Sequence, residues 1–425
     1  MKAEEIDIVS SNSVALRQIQ SQAAAKNWLE VNYQLQQLPC LASPTHFQTT
    51  EAKVKAQVIE LALQVLIAGD FQQKWHVAKM FPLMGQDILP SLAALADPEQ
   101  VDNETQWFVA SILGNFKTQV AVIALAKILQ TTQEPDLIAI AAKSLTQIGD
   151  LAVATLINLL EKPPHRLVAA KSLAHIRLVS ALPTLCSLAA DTNPEIRLLA
   201  IEALGSFHSP EVTNTLLQAL QDTSSLVRKE AVTALGFRQN IEDRSTIVEQ
   251  IAPLLYDLNL DVCRQTAIAL SRMKSESASK LLNLALQSEQ VSLVIKIDIV
   301  KSLAWSEVGL ALDYLLDYLE VAYRDANEII CQEIITVLGR ISTRELKPKA
   351  IAILQNFWFA NHPDRIDFAS KKALVTALGE LRAVTAQDIL KQLAQDTNKT
   401  IQLYALASLK KIGIKPDSTH KDVVS

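Results

Sequence analysis

The sequence predicts an all-α fold, a right-handed α-α superhelix of about eleven stacked helix pairs. Three observations predict it. First, an apolar anchor recurs at Phe81, Leu113, Leu145, Leu173, Leu204, Leu235, Leu270, Leu303, Leu338, Leu378 and Leu409, with successive gaps of 28 to 40 residues. A period that persists this long means stacked units, each touching only its neighbours, and not one globular core with one pocket. Second, eleven residues before the anchors stand Asp70, Asp102, Glu134, Lys162, Asn193, Ser224, Asn259, Ser292, Asn327, Asp367 and Asn398. Nine of these are Asp, Asn or Ser, types whose side chains accept hydrogen bonds from the free amides of a helix's first turn. Third, between anchors runs another apolar segment with leucine-like residues at i, i+3, i+4 and i+7, and no stretch alternates long enough to suggest a sheet.

In chain order, residues 1 to about 12 are polar and read as a frayed end. Val14 to Leu38 reads as one or two helices with Trp28, Leu29 and Tyr33 on one side. Pro39 to Thr50 reads as a loop from its Pro, Ser and Thr content, and Glu51 to Ala68 as a helix. Residues 1–68 are therefore expected to form a helical cap, 69–414 the repeat array, and 415–425 a disordered tail. Each repeat is helix A, short turn, helix B. The B helices start at the cap-like residues; Pro194 fits the first helical position after Asn193, where a missing N–H costs nothing. One turn before the anchors come Val77, Val109, Ala141, Ala169, Ala200, Ala231, Thr266, Ile299, Ile334, Leu374 and Ala405, which fall on the same buried face. The A helices cover Ile88–Ala96, Val120–Leu129, Ala152–Leu160, Ala181–Ala189, Val212–Leu220, Ile247–Leu255, Ala278–Leu286, Leu310–Leu319, Ala350–Phe357 and Gln387–Ala394. Gly205, Gly236, Gly339 and Gly379 follow their anchors and read as helix ends, not phosphate loops.

Composition narrows the function classes. A net charge of −5 supplies no clustered basic face for nucleic acid. The start MKAEEIDIVSSN lacks the basic and apolar regions of a secretory signal, and no apolar stretch is long enough to cross a bilayer. Four dispersed cysteines (Cys40, Cys186, Cys263, Cys331) form no metal or disulfide framework; a reducing, cytoplasmic compartment is expected. Cys186, among apolar residues on an A helix, reads as a buried structural thiol and not a nucleophile. The seven histidines never occur as H-E or H-x-x-x-H, and there is no P-loop and no dinucleotide-binding glycine motif. No catalytic, cofactor-binding or metal-ligating residue is expected, although a site assembled from separate repeats leaves no motif.

The stretches DTNPEIRLLAIEALGSF (Asp191–Phe207) and DTSSLVRKEAVTALGF (Asp222–Phe237) decide between repeat classes. The tetratricopeptide and ankyrin signatures are absent. The two stretches resemble the short HEAT-like repeats of the phycobilisome-lyase type, D-x-x-x-x-V-R-x-x-A-x-x-A-L-G, best over Asp191 to Met273. The resemblance implies an inter-repeat polar ladder in which Asp191 goes with Arg197 and Asp222 with Arg228. Asp257 meets Cys263 and Asp396 meets Gln402, so the ladder is expected to lapse there. With no catalytic motif, the array reads as a non-catalytic scaffold, adaptor or assembly factor that binds a protein along a concave face, and the resemblance implies a phycobilisome or photosynthetic antenna as the context. The alternative is a bilin lyase or chromophore-attachment chaperone acting on phycobiliproteins. The His-Glu pairs of HEAT-type di-iron hydroxylases are missing, and a role like that of HEAT-like DNA glycosylases is disfavoured by the acidic balance.

In a HEAT-like array the B helices line the inner surface. Positions six and five before the anchor lie off the buried stripe. In the first five units they are Trp75 and His76, Trp107 and Phe108, Ala139 and Ile140, Leu167 and Val168, Leu198 and Leu199. They then turn polar, with Lys229 and Glu230, then Arg264 and Gln265. A contiguous apolar row facing water marks a binding surface. Trp75, Trp107, Phe108, Leu167, Leu198, Lys229 and Arg264 are the expected partner contacts, and the partner segment is expected to be apolar or amphipathic, acidic at the Lys229 end. The rival reading is that the chain's own N-terminal helices cover this row, or that the face is rotated.

Overall fold

All eleven anchors are at most 3% exposed in the computed structural model, and the residues one turn before them at most 1%. The structure describes residues 15–238, 244–361 and 365–414, which divide between two compact units, Met1–Ala203 and Leu204–Ser425. No strand occurs among the described residues. The fold class is the α-α superhelix. The expected tail at 415–425 and the polar start lie outside the described residues.

The first unit begins with α1 (15–24), α2 (Trp28–Gln36), α3 (Pro44–Thr49) and α4 (Ala52–Ala68). Its B helices are α5 (Phe71–Ala78), α7 (Asn103–Leu113), α9 (Pro135–Ile148), α11 (Arg166–Ile176) and α13 (Pro194–Leu204), the last ending at the unit boundary. The A helices α6 (Leu89–Ala94), α8 (Gln119–Thr131), α10 (Asp150–Leu160) and α12 (Leu182–Leu188) alternate with them. In the second unit the B helices are α15 (Ser225–Gly236), α17 (Leu260–Arg272), α19 (Leu293–Trp305), α21 (Glu328–Gly339), α23 (Phe368–Glu380) and α25 (Lys399–Lys411). Its A helices are α14 (Pro210–Ala219), α16 (Arg244–Ile251), α18 (Glu276–Gln287), α20 (Gly309–Arg324), α22 (Lys347–Ala360) and α24 (Gln387–Leu393). Within each unit successive B helices pack side by side, α5 on α7, α7 on α9 and α9 on α11, then α15 on α17 and onward to α23 on α25.

The cap positions explain where the B helices start. The side chains of Asp70, Asp102, Asn259, Asn327, Asp367 and Asn398 each accept from a first-turn amide. Asp70 and Gln73 bond reciprocally as a capping box. Two units depart from the pattern because of proline. Pro163 and Pro164 take a 3-10 turn, Pro163–His165, so α11 begins only at Arg166. Pro82 follows the first anchor; its ring would clash with the carbonyl four residues back. Accordingly α5 ends at Ala78, and Phe81 sits, fully buried, on a 3-10 stretch instead of an α-helix. The expected loop at Pro39–Thr50 is also helical: a 3-10 turn (Pro39–Leu41) precedes α3. Ser43 Oγ accepts from His46 N at 3.2 Å, Pro44 occupies the first turn, and buried Phe47 pins the helix inward.

Gly236 and Gly339 close α15 and α21, as the helix-end reading expects, and with Gly114 and Gly379 they are also packing positions. Gly339 closes α21, and a Cβ there would lie 2.6 Å from the Cα of Ala377 on α23. Gly114 follows α7, and a Cβ there would lie 2.7 Å from Ser144 Oγ on α9. The residue after one anchor thus abuts the small residue before the next.

A polar ladder runs from the position seven before the anchor in the repeats that carry arginine or lysine there, such as Arg166, Arg228 and Lys371. Arg166 Nε donates to Asp191 at 3.0 Å, and Arg228 donates to Asp257 through Nε at 2.7 Å and Nη2 at 2.8 Å. Burial would raise both aspartates. Against it, Arg228 and the Asn259 amide hold Asp257 below its ordinary value, and the Asn193 amide and Arg166 do the same for Asp191. The lapse expected at Asp257 and Asp396 does not occur as a break in their pairing. Lys371 donates to Asp396 at 3.2 Å, while Cys263 and Gln402 replace arginine only as donors to the aspartate's own carbonyl. The rung that Cys263 cannot make is taken one residue later by Arg264, which donates to Asp298 at 2.9 Å.

Candidate functional site

The apolar row on the B helices of the first unit is built around four aromatic rings. Trp75 on α5 is 45% exposed. Phe108 on α7 is 1% exposed; its ring centre lies 5.2 Å from those of Phe71 and Trp107 and 6.5 Å from that of Trp75. Phe108 therefore supports the row from beneath and does not face outward as the sequence reading had it. Trp107 is half-buried, and Lys79 Nζ sits 5.5 Å over the Trp75 ring. Farther along, Ala139 is exposed, and Ile140, Leu167, Val168, Leu198 and Leu199 are half-buried. Trp75 keeps its 45% exposure although α2 packs on α5, where Asn32 Nδ2 donates to the Gln73 carbonyl at 3.3 Å.

Beneath the aromatic rings lies a buried lysine that sequence reasoning missed. Lys74, 3% exposed, donates to Glu104 at 2.8 Å and to Thr105 Oγ1 at 3.0 Å, tying α5 to the start of α7. Its position, seven before the anchor, is the one that carries Arg166, Arg228 and Lys371, so the ladder register was the signal available.

Two grooves flank α9. One, of about 630 Å³, lies between α7 and α9; Phe71, Trp107, Leu137 and Ile140 make its apolar surface and Glu104, Glu134 and Asp136 its rim. The other, of about 380 Å³, lies between α9 and α11; Ile138, Ala142 and Val168 line it, with Lys171 and His175 on the α11 side. Ala139 and Lys143 belong to both.

Lys229 and Arg264 belong to the second unit. Lys229 is half-buried. Arg264 does not offer a free positive charge, because Asp298 takes its Nε and Asp261 its Nη1 at 2.7 Å; these two carboxylates stabilise its charged form. The second unit instead exposes apolar side chains at the starts of its B helices, at Leu226, Leu260, Val294, Ile329 and Phe368. They lie nine or ten residues before the anchors, a position where a solvated helix start carries polar groups.

Cys40, Cys263 and Cys331 show no sign of activation, and Cys186, expected to be buried, is half-buried. Burial pushes the Cys40 thiol up to about 11 and that of Cys331 to about 12, and Cys263 is raised by burial and by the charge of Asp257. Among the described residues no group of three or more His, Cys, Asp or Glu is placed to hold a metal ion, and no helix is long and apolar enough to cross a membrane.

A family profile described as HEAT repeats matches residues 153–236, 182–252 and 213–304. The chain thus carries HEAT repeats over that overlapping stretch, which includes the helices from α11 to α18. No curated protein matches the chain. Among solved structures, human deoxyhypusine hydroxylase in complex with glycerol is 20% identical, covering 60% of this chain and 98% of its own, at a TM-score of 0.27. A chain from a structure of Kap95p with RanGDP is 12% identical over 85% of this chain at a TM-score of 0.45, and a Kap121p mutant 14% identical over 94% at 0.44. The match spans 57% and 53% of those two chains.

Proposed function

We propose that this protein is a non-catalytic scaffold or assembly factor that holds an apolar or amphipathic segment of a protein partner along the B helices of its first unit. One observation carries the reading: in five consecutive repeats, from Trp75 through Trp107, Ile140 and Leu167 to Leu198, the positions off the buried stripe are apolar and accessible. Monomers seldom leave such a row bare. Large aromatics in partly covered settings supply much of the binding energy at interfaces. The test is affinity purification from native cells with wild-type chain and with Trp75→Ala plus Trp107→Ala. A stoichiometric partner that survives the double substitution, with helicity unchanged by circular dichroism, sinks the reading. Loss of the partner, at least about thirtyfold in affinity, supports it.

The second reading, attachment of bilins to phycobiliproteins in a photosynthetic antenna, rests on the resemblance of Asp191–Phe207 and Asp222–Phe237 to lyase-type repeats. Visible absorbance in the purified native protein, or bilin transfer in a reconstituted assay, favours it. Single substitution of Cys186, Cys263 or Cys331 then discriminates, since the scaffold reading requires all three variants to bind the partner normally.

A further inference from the structure

The two α9 grooves differ in charge: Glu134 and Asp136 line only the α7–α9 groove, Lys171 lines only the α9–α11 groove, and Lys143 lines both. Glu134 and Asp136, on the α7 side, are exposed and make no ion pair with any described residue. Lys171, on α11, and Lys143, between the two grooves, are likewise exposed and make no ion pair with any described residue. Two ion pairs nearby do join neighbouring repeats, Lys127 with Asp97 at 2.6 Å and Lys74 with Glu104 at 2.8 Å. Ala139 lines both grooves, with Trp107 and Ile140 in the α7–α9 groove and Val168 in the α9–α11 groove.

We infer that the two grooves form one site for a partner segment that crosses α9 in a fixed direction. A lysine or arginine enters the α7–α9 groove, an apolar residue lies over Ala139, and an acidic residue meets Lys143 and Lys171. This inference rests on the scaffold reading and adds the chemistry of the partner. The aliphatic stem of a basic side chain lies against Trp107 and Ile140 while its head reaches Glu134 and Asp136. Adjacent packed helices lie roughly 8–10 Å apart, and an extended chain advances about 3.3 Å per residue. The basic and acidic residues are therefore separated by about three positions in an extended segment. A wholly acidic segment and a nucleic acid strand are both repelled by the unpaired carboxylates of Glu134 and Asp136.

The experiment is selection of random peptides displayed against the full chain, repeated against a charge-exchanged chain, Asp136→Lys with Lys143→Glu, and against Trp107→Ala, all checked for helicity. The expected result is a consensus of basic, apolar and acidic residues in that order. A representative peptide binds the charge-exchanged chain at least about tenfold more weakly, a loss that shrinks in high salt, and the peptide with its charges reversed regains it. A consensus without the basic residue, or affinity within twofold on the charge-exchanged chain, overturns the inference. Peptides that lack the charge order but are lost on Trp107→Ala overturn this inference alone and leave the scaffold reading standing. Absence of any peptide dependent on Trp107 overturns both.

Discussion

Trp75 and Trp107 sit at the same register of adjacent repeats, yet their settings differ: Trp75 is exposed at 45%, whereas Trp107 shares its ring face with buried Phe108. In a chain with Trp28, Trp305 and Trp358 replaced by phenylalanine, acrylamide should quench the remaining fluorescence, more strongly for Trp75. Fluorescence resistant to quencher means that the row is covered and removes the site. A second residue-scale expectation concerns Gly339. In an open helix, Gly→Ala stabilises by about 0.5–1 kcal/mol. Here the added methyl meets the Ala377 Cα at 2.6 Å, so Gly339→Ala should instead destabilise by roughly 1–3 kcal/mol, as overpacking does. A urea titration that gives the opposite sign refutes the close approach.

The ladder sets the behaviour of the elements toward acid. Asp191 and Asp257 titrate below the ordinary aspartate value of 3.8, because hydrogen-bond donors outweigh the cost of burial. Their folded-state values are depressed, so their contribution is fully present well above 3.8 and is lost as pH falls through the folded values. Denaturant midpoints should therefore drop below about pH 4. Asp257→Asn should cost roughly 1.5–3 kcal/mol at neutral pH and flatten that drop. The helices themselves were legible in the sequence because anchor, preceding turn and cap repeat in one chain-local register. The turn at Pro39–Leu41 and α3 were not, since their Pro, Ser and Thr content suits a loop equally and only the burial of Phe47 decides. The site was half legible. The apolar positions followed from the register, but the pairing of Arg264 with Asp298 spans 34 residues and becomes visible only when the repeats are stacked. The same holds for the burial of Phe108 by Phe71 and Trp75, which come from the preceding repeat.

Repeats that touch only their neighbours give the molecule a local distribution of stability. Leu338 lies in the second unit, and truncating it to alanine should cost roughly 2–5 kcal/mol there. In hydrogen exchange, Leu338→Ala should speed the amides of α19, α21 and α23 while those of α7 and α9 keep their protection. A uniform acceleration across both units means that the chain unfolds as one cooperative body and that the nearest-neighbour description fails. The groove on α9 would then be sensitive to every core substitution in the protein, and separation-of-function variants in it would be unobtainable.

Gly114 connects these scales. It lies outside the groove, at the far end of α7 from Glu104, with ordinary helical backbone angles (φ −60°, ψ −19°) that alanine also adopts. Only contact with Ser144 forbids a side chain there. That contact acts as a gauge for the aperture between α7 and α9. An atom added to either residue should push the helices apart there and so resize the opening beside Trp107 without altering any group that lines it. Two chains with the same groove residues would then differ in the girth of segment they admit, and a comparison restricted to the lining would miss the cause.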